Sequence, residues 1–335
     1  MKRFLKRALA LTTVVVCSFG LLTGCGSNAN AKTGDSKKTI VTDSYAAYDF
    51  VLNILGDNAS DYEVVYLLDT GVDLHSFQPS VAQMATISMA DMFIFVGGES
   101  DEWAVDAVSE AKNSGLVAIN MMDVLEDYIK EEEAVNEVDT EEDDHDHDEE
   151  EEEVEYDEHV WLSIKNAIRL VEAISDGIEK IDSENSSRYS DNADAYVAKL
   201  TTLDESFEAV VHASDTDVVV FGDRFPFRYF TDDYDLTYYA AFVGCSAETE
   251  ASFEVIVYLA QKVDEYDLDY IFVIENADES IAETIISNTQ NKNVQILTFN
   301  SLQSVSSSDI SGGLTYISAM ESNLANLKLA LGVTE

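Results

Sequence analysis

Histidine is scarce in this chain, with five residues in 335: His75, His145, His147, His159 and His212. Two of them stand where a side chain can meet a ligand. His75 lies in Gly71-Val72-Asp73-Leu74-His75-Ser76-Phe77-Gln78-Pro79, between a strand pattern and a helix pattern, the kind of loop from which α/β lobes expose binding groups. His159 lies in Asp157-Glu158-His159-Val160-Trp161-Leu162, where a long acidic stretch gives way to a helical pattern. Taken singly, each reads equally as a surface or helix-cap histidine. Taken together, flanking an acidic segment that itself carries His145 and His147, they point to a metal. Imidazole nitrogen suits zinc and its first-row neighbours, and carboxylates add charge neutralisation and hydrogen-bond the second ring nitrogen. His145 and His147 read either as a low-affinity capture loop for that metal or as plain solvating chain. His212 closes a helical pattern, where a cation meets the helix dipole favourably and needs no ligand. No enzyme is expected, because neither a Gly-x-Ser-x-Gly nucleophile turn nor a His-Glu-x-x-His helix is present.

The composition narrows the partners. A formal net charge of -47 excludes a nucleic-acid binder, whose affinity depends on Lys and Arg neutralising phosphates. At the amino end Lys2, Arg3, Lys6 and Arg7 precede an apolar run over residues 8–22, too short for a comfortable membrane span, which meets Leu22-Thr23-Gly24-Cys25. That is a secretion signal, and its last four residues resemble the bacterial lipobox. The resemblance implies cleavage before Cys25, acylation of its thiol and a location on the outer face of a bacterial cell membrane. Cys17 leaves with the signal and Cys25 is consumed by lipid, so Cys245 remains alone and no internal disulfide is possible.

These residues need a scaffold. Residues 25–38 are small and polar, as in a tether. Strand patterns at 39–42, 63–67, 92–96 and 116–119 alternate with helical ones such as 48–55, which predicts an α/β lobe over 39–160. Residues 123–158 turn abruptly to Glu and Asp, and such a block is expected to be a solvated insertion, since burying unpaired carboxylates is costly. Helices are predicted over 161–181 and 186–212. In the second, Tyr189, Ala193, Tyr196, Leu200, Leu203, Phe207 and Val210 recur at steps of three and four. Strand patterns at 218–221, 236–242, 270–274 and 294–297 alternate with helical ones at 227–230, 253–263, 281–287 and 316–331, predicting a second α/β lobe over 214–335.

The chain resembles the metal-specific solute-binding proteins of ABC transporters, the group that takes up zinc or manganese. The family's Pro-Gly-Val-Glu-Pro-His loop is matched by Gly71-Val72-Asp73-Leu74-His75, and its Asp-Pro-His-Val-Trp-Leu segment by Asp157-Glu158-His159-Val160-Trp161-Leu162. The acidic, His-bearing loop just before the second motif is that of the zinc-type members. The resemblance implies two α/β lobes joined by a rigid long helix, one metal in the cleft between them, a monomer, and delivery of zinc, or alternatively manganese, to an ABC permease and ATPase complex. It also exposes departures. The family's third ligand falls on Gly222-Asp223-Arg224-Phe225, with Arg224 in the best register, and a guanidinium cannot coordinate a cation. The family's late acidic ligand falls near Asn300-Ser301-Leu302-Gln303. The expected set is therefore His75, His159, one carboxylate and water, with Asp223 and Glu275 as the carboxylate candidates. Arg224 is then expected to hold Glu250 or Glu275 in position, and Cys245 is either a soft alternative ligand or a small residue at a strand end. The incomplete ligand set also leaves room for a surface adhesin or structural lipoprotein with weak or altered metal binding.

Overall fold

The computed structural model describes residues 37–133, 155–245 and 251–333, all of which belong to one compact unit, Lys37–Glu335. Its framework is a pair of four-stranded parallel sheets. The first contains β1 (Lys38–Thr42), β2 (Tyr62–Tyr66), β3 (Met92–Phe95) and β4 (Val117–Asn120) in the order β2-β1-β3-β4. Its helices are α1 (Tyr45–Leu55), α2 (Val81–Met89), α3 (Glu102–Ser109) and the single turn α4 (Met121–Val124). Strand β3 is buried on both faces, which explains its unbroken Met-Phe-Ile-Phe run.

Two helices follow, α5 (Ile164–Ile181) and the 28-residue α6 (Ser186–Ala213). The seven residues of the predicted stripe on α6 are the ones it buries. Beyond it, β5 (Val218–Phe225), β6 (Thr237–Val243), β7 (Tyr270–Val273) and β8 (Gln295–Thr298) form the second sheet in the order β6-β5-β7-β8. They alternate with α7 (Arg228–Asp233), α8 (Phe253–Glu265), α9 (Ser280–Asn288), α10 (Ser307–Ser311) and α11 (Tyr316–Ala330). Both sheets thus repeat one topology, two α/β lobes with a long helix between them in the chain.

The packing ties the lobes together. One continuous apolar core runs from the first sheet through Trp161, α5 and α6 to Phe221, Phe225, Phe272 and Phe299 under the second sheet. Trp161 Nε1 donates to Ser301 O at 2.9 Å, and Ser307 N donates to Asp69 O at 2.7 Å. In each sheet the strand order reverses beside the first strand, at β1/β3 and at β5/β7. The crevice outside the carboxyl ends of the strands at such a point is where parallel sheets hold ligands.

The expectation that residues 123–158 stand in solvent holds for Asp123, Val124 and 126–128, which are exposed, and fails where the segment closes on itself. Glu132 N donates to Glu155 O at 3.0 Å and Asp157 N to Lys130 O at 2.9 Å, closing the segment with a short ladder. Asp157 and Glu158 are buried, 2% and 3% exposed. Backbone N–H groups offset the cost of burying them: Asp157 Oδ1 accepts from His159 N at 2.8 Å and Glu158 Oε1 from Ser100 N at 2.9 Å. His145 and His147 lie outside the described residues.

Candidate metal centre

His75 sits in a 3₁₀ turn, Leu74–Ser76, after β2. Leu74 is buried and anchors the turn, while Asp73 Oδ1 accepts from His75 N at 3.1 Å and sets its start. The same local device recurs at the second histidine, where Asp157 Oδ1 accepts from His159 N at 2.8 Å. Asp-x-His thus has one structural meaning at both of these histidines, and this shared spacing is a signal for Asp73 and Asp157 that reading the histidines alone missed. His159 is wholly buried, and Val160, Trp161 and Leu162 bury the turn that follows it.

The two imidazoles meet edge to face, with ring centroids 4.9 Å apart and Nε2 to Nε2 at 2.9 Å. Each Nδ1 is taken. His159 Nδ1 lies 3.0 Å from Asp157 Oδ1, and His75 Nδ1 lies 2.9 Å from Ser100 Oγ and 3.3 Å from Glu158 Oε2. The Asp157 carboxylate accepts and does not donate, so Nδ1 of His159 carries a proton, and the two Nε2 atoms are left facing one another. Two lone pairs at that distance repel unless a cation or a proton lies between them. Burial acts to lower the His159 pKa, but the Asp157 charge and hydrogen bond, then Gln303 and Glu158, more than offset it and hold the imidazole above its ordinary 6.5. Burial likewise acts to raise Glu158, but bonds with His75 and Ser100 outweigh it and keep the carboxyl below 4.5.

The second lobe completes the site from the carboxyl ends of its strands. One ligand atom from each of His75, His159 and Cys245 lies within 4.8 Å of the others. Cys245 follows β6 in a turn that presses on the His159 ring. A Cβ on Gly244 would lie 3.0 Å from His159 Cε1 and 2.9 Å from Phe225 O, so only glycine permits the approach. Burial, then the charges of Glu132, Asp157 and Glu158, push the Cys245 thiol well above its ordinary range. Gln303, after β8, places Oε1 3.2 Å from His159 Nε2 and donates its own Nε2 to Ser301 Oγ at 3.0 Å. Ser100 was missed as a site residue in the sequence, and Gln303 was seen only as part of the 300–303 stretch where an acidic ligand was expected, because neither carries charge or an imidazole.

The expected carboxylates are engaged elsewhere. Asp223 Oδ1 accepts from Arg224 N at 2.8 Å and Oδ2 from Ile274 N at 3.1 Å, which pins it to the backbone between β5 and β7. Glu275 is spent on the 301–303 turn: Oε2 accepts from Ser301 N at 2.7 Å, and Oε1 from Ser301 Oγ at 2.8 Å and Gln303 N at 3.1 Å. Burial raises both carboxyls above their ordinary values, and those same bonds only partly offset it. Arg224 pairs with neither Glu275 nor any described residue of its own lobe. Its Nη2 donates to Asp73 Oδ2 at 2.8 Å, across to the loop that carries His75. The pairing follows from length, since a guanidinium at the end of β5 reaches the facing loop while Glu275 is already saturated. Burial acts to raise Asp73, yet Arg224 and His75 hold it below 3.8. Glu250 and Cys25 lie outside the described residues.

Comparison with known proteins gives the family and the fold. Residues 40–330 match the model of the family described as zinc-uptake complex component A, periplasmic. The chain is 31% identical over 326 residues to the zinc-binding lipoprotein AdcA of Streptococcus pneumoniae, covering 96% of this chain and 60% of that protein's length. It is 28% identical over 324 residues to the high-affinity zinc uptake system protein ZnuA of Bacillus subtilis, covering 95% of this chain and 96% of the relative. Among solved structures, the Zn(II)-bound ZnuA-like domain of S. pneumoniae AdcA superposes with a TM-score of 0.67 at 26% identity, over 88% of this chain and 99% of that one. The metal-dependent lipoprotein YcdH of B. subtilis superposes with a TM-score of 0.69 at 25% identity, over 89% of this chain and all of that one.

Proposed function

Because the chain belongs to the family of the periplasmic zinc-uptake complex component A, we propose that it captures zinc outside the cytoplasmic membrane and hands it to an ABC permease and ATPase complex for import. The observation that carries this reading is the facing pair of imidazoles, each with Nδ1 occupied and Nε2 turned to the other at 2.9 Å. A tetrahedral zinc ion with Zn–N near 2.0–2.1 Å separates two nitrogens by about 3.3 Å, so the pair has only to open by roughly 0.4 Å to hold one. The ion takes the place of a proton between the two Nε2 atoms and makes a bond to each. Its charge is met by Asp157 and Glu158, which also fix the tautomers, as supporting partners do around histidine ligands. Zinc is cargo here, bound and released unchanged, and the chain's own residues supply orientation and charge. Binding is expected to need no second copy of the chain.

Export and a lipid anchor on Cys25 fit this role, and no helix among the described residues is long and apolar enough to cross a membrane. An adhesin or structural role is not favoured by the family match. Calorimetric titration of the purified protein with zinc and manganese tests the reading. Tight zinc binding that His75→Ala and His159→Ala each weaken severely supports it. No tight binding by the unaltered protein, or binding indifferent to both changes, refutes it.

A further inference from the structure

We propose that Cys245 is the third protein ligand of the captured ion, with Gln303 Oε1 as a weaker fourth donor, so that the site is a two-imidazole, one-thiolate centre. This rests on the receptor reading above and names the donor set of that same site. Three features around the second lobe's strand ends converge on it. Sγ of Cys245 belongs to the cluster whose ligand atoms lie within 4.8 Å of one another. Gly244 is the residue whose missing side chain lets that turn touch the His159 ring, and Glu132 Oε1 fixes the turn by accepting from Cys245 N at 3.2 Å. Gln303 has its amide orientation set by the bond to Ser301 Oγ, so that its oxygen and not its nitrogen faces His159.

The carboxylates that would otherwise serve are committed. Asp223 and Glu275 each hold backbone N–H groups with both oxygens, and turning either toward the histidines would strip those buried donors. Coordination converts the neutral thiol to a thiolate: the S–H bond breaks, the S–metal bond forms, and the proton leaves to solvent. A cation supplies the stabilisation that the surrounding carboxylates deny the free thiolate. Drawing all four donors onto a tetrahedral ion, with Zn–N near 2.0–2.1 Å and Zn–S near 2.3 Å, brings them to roughly 3.3–3.6 Å from one another. The consequence is selectivity. A thiolate in place of a carboxylate favours zinc and softer ions and disfavours manganese, which prefers oxygen.

Cobalt(II) is the probe, since a thiolate bound to it shows an intense near-ultraviolet charge-transfer band that imidazole and carboxylate do not produce. The full chain loaded with cobalt is expected to show that band, and a Cys17→Ser, Cys25→Ser double variant to keep it. Cys245→Ser is expected to lose the band while retaining cobalt's visible ligand-field bands. Its zinc affinity should fall by more than the roughly 10–100-fold that loss of a supporting partner costs. Its affinity for manganese should not fall in step. The unaltered protein binding zinc tightly without the cobalt band, or Cys245→Ser keeping full zinc affinity, overturns the thiolate and leaves the receptor reading standing. Failure of the unaltered protein to bind zinc overturns both. The spectrum of the unaltered protein reads sulfur directly, so a poorly folding Cys245→Ser variant does not void the test.

Discussion

Replacing Gly98 by alanine probes how far His75 depends on the residues behind it. Gly98 adopts φ +83 and ψ -169, a backbone region essentially confined to glycine, so an alanine there stores strain of about 1–3 kcal/mol. Its Cβ would also lie 2.4 Å from Glu158 Oε1, 2.6 Å from Cγ and 2.7 Å from Cδ, well inside the 3.4 Å at which ordinary contact begins. A long flexible side chain could swing away cheaply, but Glu158 cannot. Its side chain is 4% exposed, its Oε1 accepts from Ser100 N at 2.9 Å, and its Oε2 faces His75 Nδ1 at 3.3 Å. Displacing it removes the carboxylate that holds the His75 tautomer. The expected cost is a further 10–100-fold in zinc affinity, equivalent to about 1.4–2.8 kcal/mol. Thermal melting and competitive zinc titration of Gly98→Ala, beside Glu158→Gln, measure the two parts. Glu158→Gln keeps the volume and removes the charge, so it should weaken zinc with little loss of stability, whereas Gly98→Ala should lose both. Gly98→Ala binding zinc as tightly as the unaltered protein would refute the reasoning.

Two other outcomes follow from the site's surroundings. Arg224→Gln removes the ion pair with Asp73 that ties the second lobe to the His75 loop, a half-buried contact worth about 1 kcal/mol, so zinc should bind roughly fivefold more weakly and leave faster. Tighter binding in this variant would mean that Arg224 acts by repelling the ion, and stopped-flow release decides between the two. Beneath the site, Asp43 and Asp101 form a buried pair. Burial and then the Asp101 charge push the Asp43 carboxyl well above its ordinary range, and burial, outweighing the bonds from Asp43, Gly97 and Val96, takes Asp101 to about 6. Both folded values exceed the unfolded ones, so the stability they contribute is present below pH 4 and lost as pH rises through about 6. For Asp101 the rise from 3.8 to about 6 corresponds to on the order of 3 kcal/mol. Asp43→Asn should therefore melt higher than the unaltered protein at pH near 8, with the gain vanishing near pH 4. An advantage that is the same at both pH values would refute the account of a buried pair with raised pKa values.

Much of this protein is legible along the chain because the relevant information is local. The three-four stripe on α6 names the seven residues it buries, and the short apolar run of β3 reads as a strand covered on both faces, since periodicity depends only on near neighbours. His75 and His159 are likewise legible, each in a short motif with its own aspartate two residues before it. The donors of the second lobe are another matter. The end of β5 carries Asp223 and Arg224, and the loops after β6, β7 and β8 carry Cys245, Glu275 and the stretch at Asn300 to Gln303. Which of them reaches the imidazoles depends on which buried N–H groups compete for each oxygen. Asp223 and Glu275 are claimed by the backbone of neighbouring strands and turns, and Arg224 by a loop 151 residues away in sequence. Gln303 meets His159 across 144 residues, and Gly244 earns its place only because the ring it touches comes from the other lobe. Composition and spacing carry the kinds of donor this chain owns. Only the folded packing of two sheets, with their strand ends aimed at one crevice, decided which donors were left free to use.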